Sequence, residues 1–156
     1  KVGKEEQFHL RHGETWMRRL VNKSDKTKGK VQDAVDWMFP MGVEWFGLPD
    51  SQKRNADQLD YRIKGKTNDE LRQEWMSHVV PLADELGLDV PAHYDEEGDE
   101  YALEYDAPVA FDPENKEWRF EEPISWDDVI DRWRSRGPAN ERHVNLIQSG
   151  KLEVGV

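Results

Sequence analysis

The sequence predicts a mainly α-helical fold with a small β-hairpin and short helices toward its C-terminal end. Three observations carry that expectation. Apolar residues recur at helical spacing through most of the chain up to Leu86. Thr67 and Glu70 stand three apart, the spacing of a capping box. Beyond Gly87 the pattern changes to alternation, with Tyr101, Leu103 and Tyr105 before a connection containing Pro and Asn, and Trp118 and Phe120 after it.

Taken in order, Glu5 to Val21 contains no Pro and one Gly, and Phe8, Trp16, Leu20 and Val21 fit a broad inward stripe of a first helix. Asn22 to Lys30 reads as its polar turn. A second helix follows, because Val31, Ala34, Val35, Met38 and Gly42 recur at helical spacing as far as Trp45 and Phe46. Pro40 falls inside it, where a missing N–H and a bulky ring favour a kink.

Residues 47–66 turn to Pro, Asp, Ser, Gln, Lys and Arg and end in the basic cluster Arg62, Lys64 and Lys66, a long connection of the kind that often carries function. Thr67 then opens a helix with Leu71, Trp75, Val79, Leu82 and Leu86 on one face, bent at Pro81. The alternating stretch supplies the hairpin. Ser125 and Asp128 begin a short helix with Trp126, Val129, Ile130 and Trp133 inward, and Asn140 to Gly150 forms a last helical piece. Two parts result, 1–88 and 89–156.

Composition narrows the functions available. Twenty-two Lys and Arg against 33 Asp and Glu leave a net charge of −11, which argues against a partner held by phosphate neutralisation such as nucleic acid. The absence of cysteine removes disulfides, thiolate nucleophiles and Cys-ligated zinc or iron–sulfur sites, so any metal must be held by His and carboxylate. No apolar run is long enough for a membrane span and the N-terminus has no secretory core, which makes the cytoplasm the expected location. Seven Trp, five Phe and four Tyr provide large burial per residue despite a hydrophobic content of 36%. The chain opens at Lys1, inside what reads as a helix, so we expect a further portion upstream.

Glu6 and His9 stand three apart and leave one face of the first helix about a turn apart. That is how a helix offers a carboxylate oxygen and an imidazole nitrogen to one metal, and it is equally the spacing of a solvated polar face. His12, a further turn along, reads as a supporting or surface residue. The cluster at Arg62, Lys64 and Lys66 interrupts an acidic protein just before a helix N-terminus, where phosphates are attracted by cations and by free backbone N–H groups; a solvated loop is the plainer reading. Trp37, Phe39, Trp45 and Phe46 around Pro40 and Gly42 are either core or the lining of an apolar pocket. The acidic run Asp95 to Glu100 reads as a solvated turn, without the ligand spacing of an EF-hand.

Several stretches together resemble a known family: Lys4-Glu5-Glu6-Gln7-Phe8-His9, Val31-Gln32-Asp33-Ala34-Val35 leading to Pro40, Phe46-Gly47, and Lys64 through Thr67-Asn68-Asp69-Glu70-Leu71-Arg72. The series continues through Val80-Pro81, Leu86-Gly87-Leu88, Val90-Pro91, Arg136-Gly137-Pro138 and Asn140-Glu141-Arg142. It resembles the catalytic, ferritin-like subunit of the ring-1,2-phenylacetyl-CoA epoxidases. The resemblance implies that residues 1–88 are the C-terminal helices of a ferritin-like di-iron bundle with a long basic loop at 47–66, and residues 89–156 an extension.

It further implies that Glu6 and His9 match the second of two Glu-x-x-His motifs, the rest of the di-iron ligands lying upstream, so that this chain alone holds an incomplete centre and is inert. Lys64 matches a position at the CoA tail of the substrate, with Arg62 and Asn68 as its neighbours. The whole protein would be an NADPH-dependent monooxygenase epoxidising the aromatic ring of phenylacetyl-CoA. It would work with a structural ferritin-like companion, a separate reductase carrying FAD and an iron–sulfur cluster, and a small bridging subunit. The alternatives are a non-catalytic scaffold subunit, or a related oxygenase acting on benzoyl-CoA or another acyl-CoA.

Overall fold

The computed structural model describes residues 2–52 and 61–134. Along these run α1 (Val2–Val21), α2 (Asp25–Trp45), a 3-10 turn (Asp50–Gln52), α3 (Asn68–Leu86), β1 (Ala92–Asp95), β2 (Glu100–Leu103), β3 (Val109–Asp112), β4 (Glu117–Pro123) and α4 (Trp126–Arg134). The mainly α expectation holds. Residues up to Pro123 make one compact unit, and α4 belongs to a second. The helical piece expected at Asn140 to Gly150 lies outside the described residues, as do residues 53–60 of the long connection.

Ser24 decides where α2 starts. Its hydroxyl accepts from the Thr27 N–H at 3.2 Å and caps the helix at Asp25, so the turn is only Asn22 to Ser24 and not the stretch to Lys30. Asp25 to Lys30 carry no apolar periodicity because this first stretch faces mostly solvent, which is why the spacing pattern missed it. In α1 the packed residues are Met17 and Val21, which meet Val31, Val35 and Leu82 around buried Ala83, Leu86 and Leu88. Phe8 and Trp16, expected inward, are 67% and 47% exposed. Arg18 makes a bidentate pair with Glu85, its Nη2 donating to Oε2 at 2.8 Å, and so ties α1 to α3.

The capping box forms as the sequence predicts: Glu70 N–H donates to Thr67 Oγ1 at 3.1 Å and Thr67 N–H to Glu70 Oε2 at 2.7 Å. The buried apolar residues of α3 are Met76, Val80, Ala83 and Leu86; Leu86 belongs to the expected stripe, whereas Trp75, Val79 and Leu82 of that stripe are half-buried on the flank. Gly87 ends the helix at φ 59, a left-handed conformation that favours glycine, and Leu88 N–H returns to Ala83 O at 2.9 Å. A second cluster joins Phe39 and Val43 of α2 to Met76 and Val80 of α3 and to Ala92.

Strand structure falls in two antiparallel hairpins where one spanning Tyr101 to Phe120 was expected. Asp95 to Glu100 closes the first, so Tyr101 pairs with Tyr94 upstream; Trp118 pairs with Phe111 in the second. The acidic tract that reads as a solvated turn is thus the turn of a hairpin. Two glutamine amides splice helices to extended backbone in the manner of a β-bridge. Gln73 donates to Tyr101 O at 2.9 Å and accepts from its N–H at 2.8 Å, and Gln32 does the same with Asp89, at 2.8 Å both ways. Trp118 Nε1 donates to Trp37 O at 2.9 Å, seating the second hairpin on α2. In α4, capped by Ser125 and Asp128, Trp126 and Val129 are buried, whereas Trp133 is 51% exposed rather than inward. Among the described residues no helix is long and apolar enough to cross a membrane.

Candidate metal half-site and anion-binding loop

Glu6 and His9 sit in the first half of α1, where Gly3 and Glu5 through Gly13 are all exposed. Glu6 Oε2 lies 3.8 Å from His9 Nδ1, with both side chains 69% exposed, so helical spacing alone brings the two donors together. Among the described residues no group of three or more His, Asp or Glu is placed to hold a metal. The donor types suit a hard or borderline metal, and two donors make half a site. His12 is engaged elsewhere: Trp16 Nε1 donates to its Nε2 at 3.0 Å, which puts the ring proton on Nδ1, and Phe8 stacks on it at 6.0 Å.

In the basic loop the structure brings Lys64 and Asn68 together, Lys64 Nζ donating to Asn68 Oδ1. Asn68 is 7% exposed; its Nδ2 donates to Leu48 O at 2.7 Å and its N–H to Asp50 Oδ1 at 3.3 Å. Asp69 accepts from Asp50 N–H at 2.8 Å. The N-terminus of α3, expected to offer free N–H groups to an anion, has those of Asn68 and Glu70 already bonded to the chain's own oxygens. Lys66 pairs with Glu74 at 2.8 Å, and that hydrogen bond lowers the Glu74 pKa. Arg62 is exposed at φ 54, in the left-handed region. An open depression beside the loop is lined by Asp50, Lys66, Thr67, Asp69, Glu70 and Gln73, a set with three carboxylates to one cation that does not favour an anion.

Sequence reasoning missed Arg72. Its side chain is 11% exposed, donates to Val43 O at 3.2 Å and Gly47 O at 2.6 Å, and pairs with Asp69. A cation from α3 thereby satisfies one carbonyl in the last turn of α2 and one just past its end, where the loop starts. Glu44, beside Val43, is 2% exposed; its place one turn after Pro40, among the apolar positions of α2, was the available signal. The Tyr105 hydroxyl is buried with no hydrogen-bond partner among the described residues. Burial pushes its pKa up, the Glu44 carboxylate adds to that, and Arg72 opposes it.

Among the described residues the aromatic set at the end of α2 does not enclose a pocket. Phe39 is 3% exposed, but Trp37 and Trp45 are 47% and 81% exposed, and the space beside Gly42 is filled by Trp75, whose ring lies 5.2 Å from Phe39 and 6.0 Å from Phe46.

The profile of the family described as "Phenylacetic acid catabolic protein" matches residues 1–116, and the chain belongs to that family. The matched span contains Glu6, His9, Arg62, Lys64, Asn68 and Arg72. Two different subunits of the 1,2-phenylacetyl-CoA epoxidase of Escherichia coli (strain K12) are similar to it. With one the chain is 37% identical over 105 residues, covering 65% of this chain and 34% of that relative. With the other it is 30% identical over 95 residues, covering 58% of this chain and 35% of that relative. The chain thus spans about a third of the length of the curated relatives it matches.

Proposed function

We propose that this chain is the C-terminal half of the oxygenase subunit of a multicomponent di-iron monooxygenase that epoxidises the aromatic ring of phenylacetyl-CoA in phenylacetate degradation. The observation that carries the reading is the Glu6–His9 pair, one turn apart on α1, inside the family-matched span of a chain 37% identical to a 1,2-phenylacetyl-CoA epoxidase subunit. In this reading residues 1–88 are helices of a ferritin-like bundle and residues 89–156 an extension, and the protein works in the cytoplasm.

The reaction adds one oxygen atom of O2 across a ring C=C bond and releases the other as water, two electrons coming from NADPH through a reductase with FAD and an iron–sulfur cluster. The iron pair, when bound, supplies the oxygen chemistry. Glu6 and His9 would give it one carboxylate and one imidazole, the remaining donors lying outside this chain. Lys64 would meet the CoA phosphates, with Asn68 holding its ammonium in place and Arg62 as a second cation. The assembly is completed by a structural companion and a small bridging subunit.

The test is made on the intact complex containing this chain. Glu6→Ala and His9→Ala should each lower iron content and abolish epoxidation; iron and turnover at wild-type levels would remove both residues from the site. Lys64→Glu should weaken acyl-CoA binding in a calorimetric titration and leave the remaining binding less sensitive to salt. An unchanged affinity takes Lys64 out of the CoA site. Similarity to two different epoxidase subunits gives a second reading, a non-catalytic scaffold. That reading gains if the complex needs this chain to assemble but turns over normally with Glu6→Ala. Comparing turnover of phenylacetyl-CoA with benzoyl-CoA and other acyl-CoAs decides the substrate.

A further inference from the structure

The outer face of α1 carries a ridge that nothing in the proposed reaction uses. Glu5, Phe8, His12, Trp16 and Arg19 follow one another at spacings of three and four residues and so lie along one side of the helix. This side is roughly a quarter-turn from the Glu6–His9 stripe and faces away from Met17 and Val21, which pack on the core. All five ridge residues are exposed, Phe8 by 67% and Trp16 by 47%. They are nonetheless ordered against one another: Phe8 stacks on His12 at 6.0 Å, His12 meets Trp16 edge-on at 6.2 Å, and the Arg19 guanidinium lies 5.7 Å over the Trp16 ring.

From this arrangement we infer that the ridge is a self-association surface, on which α1 pairs antiparallel with α1 of a second copy of this chain. The charge pattern selects that occupant and that direction. Phe8 and Trp16 are equidistant from His12 along the helix, and so are Glu5 and Arg19. A two-fold axis at His12 therefore sets Phe8 of one copy against Trp16 of the other, and Glu5 against Arg19, twice over. Parallel pairing would oppose Glu5 to Glu5 and Arg19 to Arg19, which like-charge repulsion disfavours. Prepacked rings lose little side-chain freedom on docking, and a continuous strip of aromatic rings between charged ends resembles the seam of an antiparallel coiled coil.

Sedimentation equilibrium of the chain over a range of concentrations tests this, with circular dichroism to show that the helices persist. We expect a monomer–dimer equilibrium. Glu5→Arg alone and Arg19→Glu alone should each weaken it by about tenfold or more, since each reversal acts at two symmetry-related pairs. The double variant, with the charges exchanged, should recover most of the loss. Phe8→Ala should weaken the dimer without changing its response to the charge exchange. A chain that stays monomeric at every concentration overturns the inference. So does a dimer indifferent to the single reversals, or one that the double exchange fails to restore.

Discussion

Replacing Gly42 by Ala adds one methyl group to α2 where the Trp75 side chain of α3 packs against it. The new Cβ would lie 2.6 Å from Trp75 Cζ2 and 2.9 Å from Cη2, where carbon atoms prefer about 3.5–4.0 Å. Trp75 is poorly placed to yield, because Phe39 and Phe46 flank its ring. Overpacking of this kind costs about 1–3 kcal/mol, and the better helix propensity of Ala offsets about 0.8–1.0 kcal/mol of it. The balance is a net loss of up to about 2 kcal/mol. Gly29 lies in the same helix with nothing within 4 Å of its added Cβ, so Gly29→Ala should gain about 0.4–1 kcal/mol. Urea unfolding followed by tryptophan fluorescence measures both, and midpoints compared at constant m-value give the sign. We expect the two substitutions to move the midpoint in opposite directions. A Gly42→Ala chain as stable as Gly29→Ala would refute the wedging of Trp75 against α2.

Arg72→Met keeps most of the aliphatic volume but removes the donors to Val43 O and Gly47 O and the pair with Asp69. We expect a loss of about 2–4 kcal/mol in urea unfolding and faster proteolysis within residues 47–66; wild-type values for both would show that the cap is dispensable. Hydrogen bonds from Arg119, Asn115 and Glu114 N–H hold the Asp112 carboxyl well below the usual carboxylate range. A carboxyl lowered in the folded state adds stability above its unfolded pKa of about 3.9 that is lost on acidification. The melting temperature should therefore fall below about pH 4, and Asp112→Asn should flatten that fall. Identical slopes would show that the Asp112 network contributes nothing to acid stability.

The parts of the fold legible in the sequence are those whose cause is local. Thr67 and Glu70 announce the start of α3 because both halves of the capping box lie within one turn, and Gly87 marks its end because few other residues accept that φ. Ser24 was equally local, but the solvated residues after it hid the helix they belong to. What escaped depends on distant partners. Nothing near Gln73 or Gln32 says that their amides bond both backbone groups of a residue 28 and 57 positions away. Likewise, nothing near Phe8 or Trp16 says that they stay exposed while the core takes Met17 alongside the expected Val21. The Glu6–His9 spacing was readable at once, while the bonds that tie Lys64 to Asn68, and Asn68 to Leu48 and Asp50, were not. Together with the capping box, those bonds engage the N–H groups of Asn68 and Glu70 with the chain's own oxygens and hold Lys64 beside Asn68.

That contrast separates the two halves of α1. Its second half is anchored by Met17, Val21 and the Arg18–Glu85 pair, whereas Glu6 and His9 stand on a half whose side chains meet little of this chain's own core. Ligands become preorganised when neighbouring side chains lock their rotamers and second-sphere hydrogen bonds orient them. At 69% exposure neither Glu6 nor His9 has such packing here. Under the proposed function, the precision of the metal site therefore has to come from the helices that pack against this half of α1. Substitutions in those helices should then alter iron affinity as strongly as changes to the second sphere of other metal sites do, about 10–100-fold.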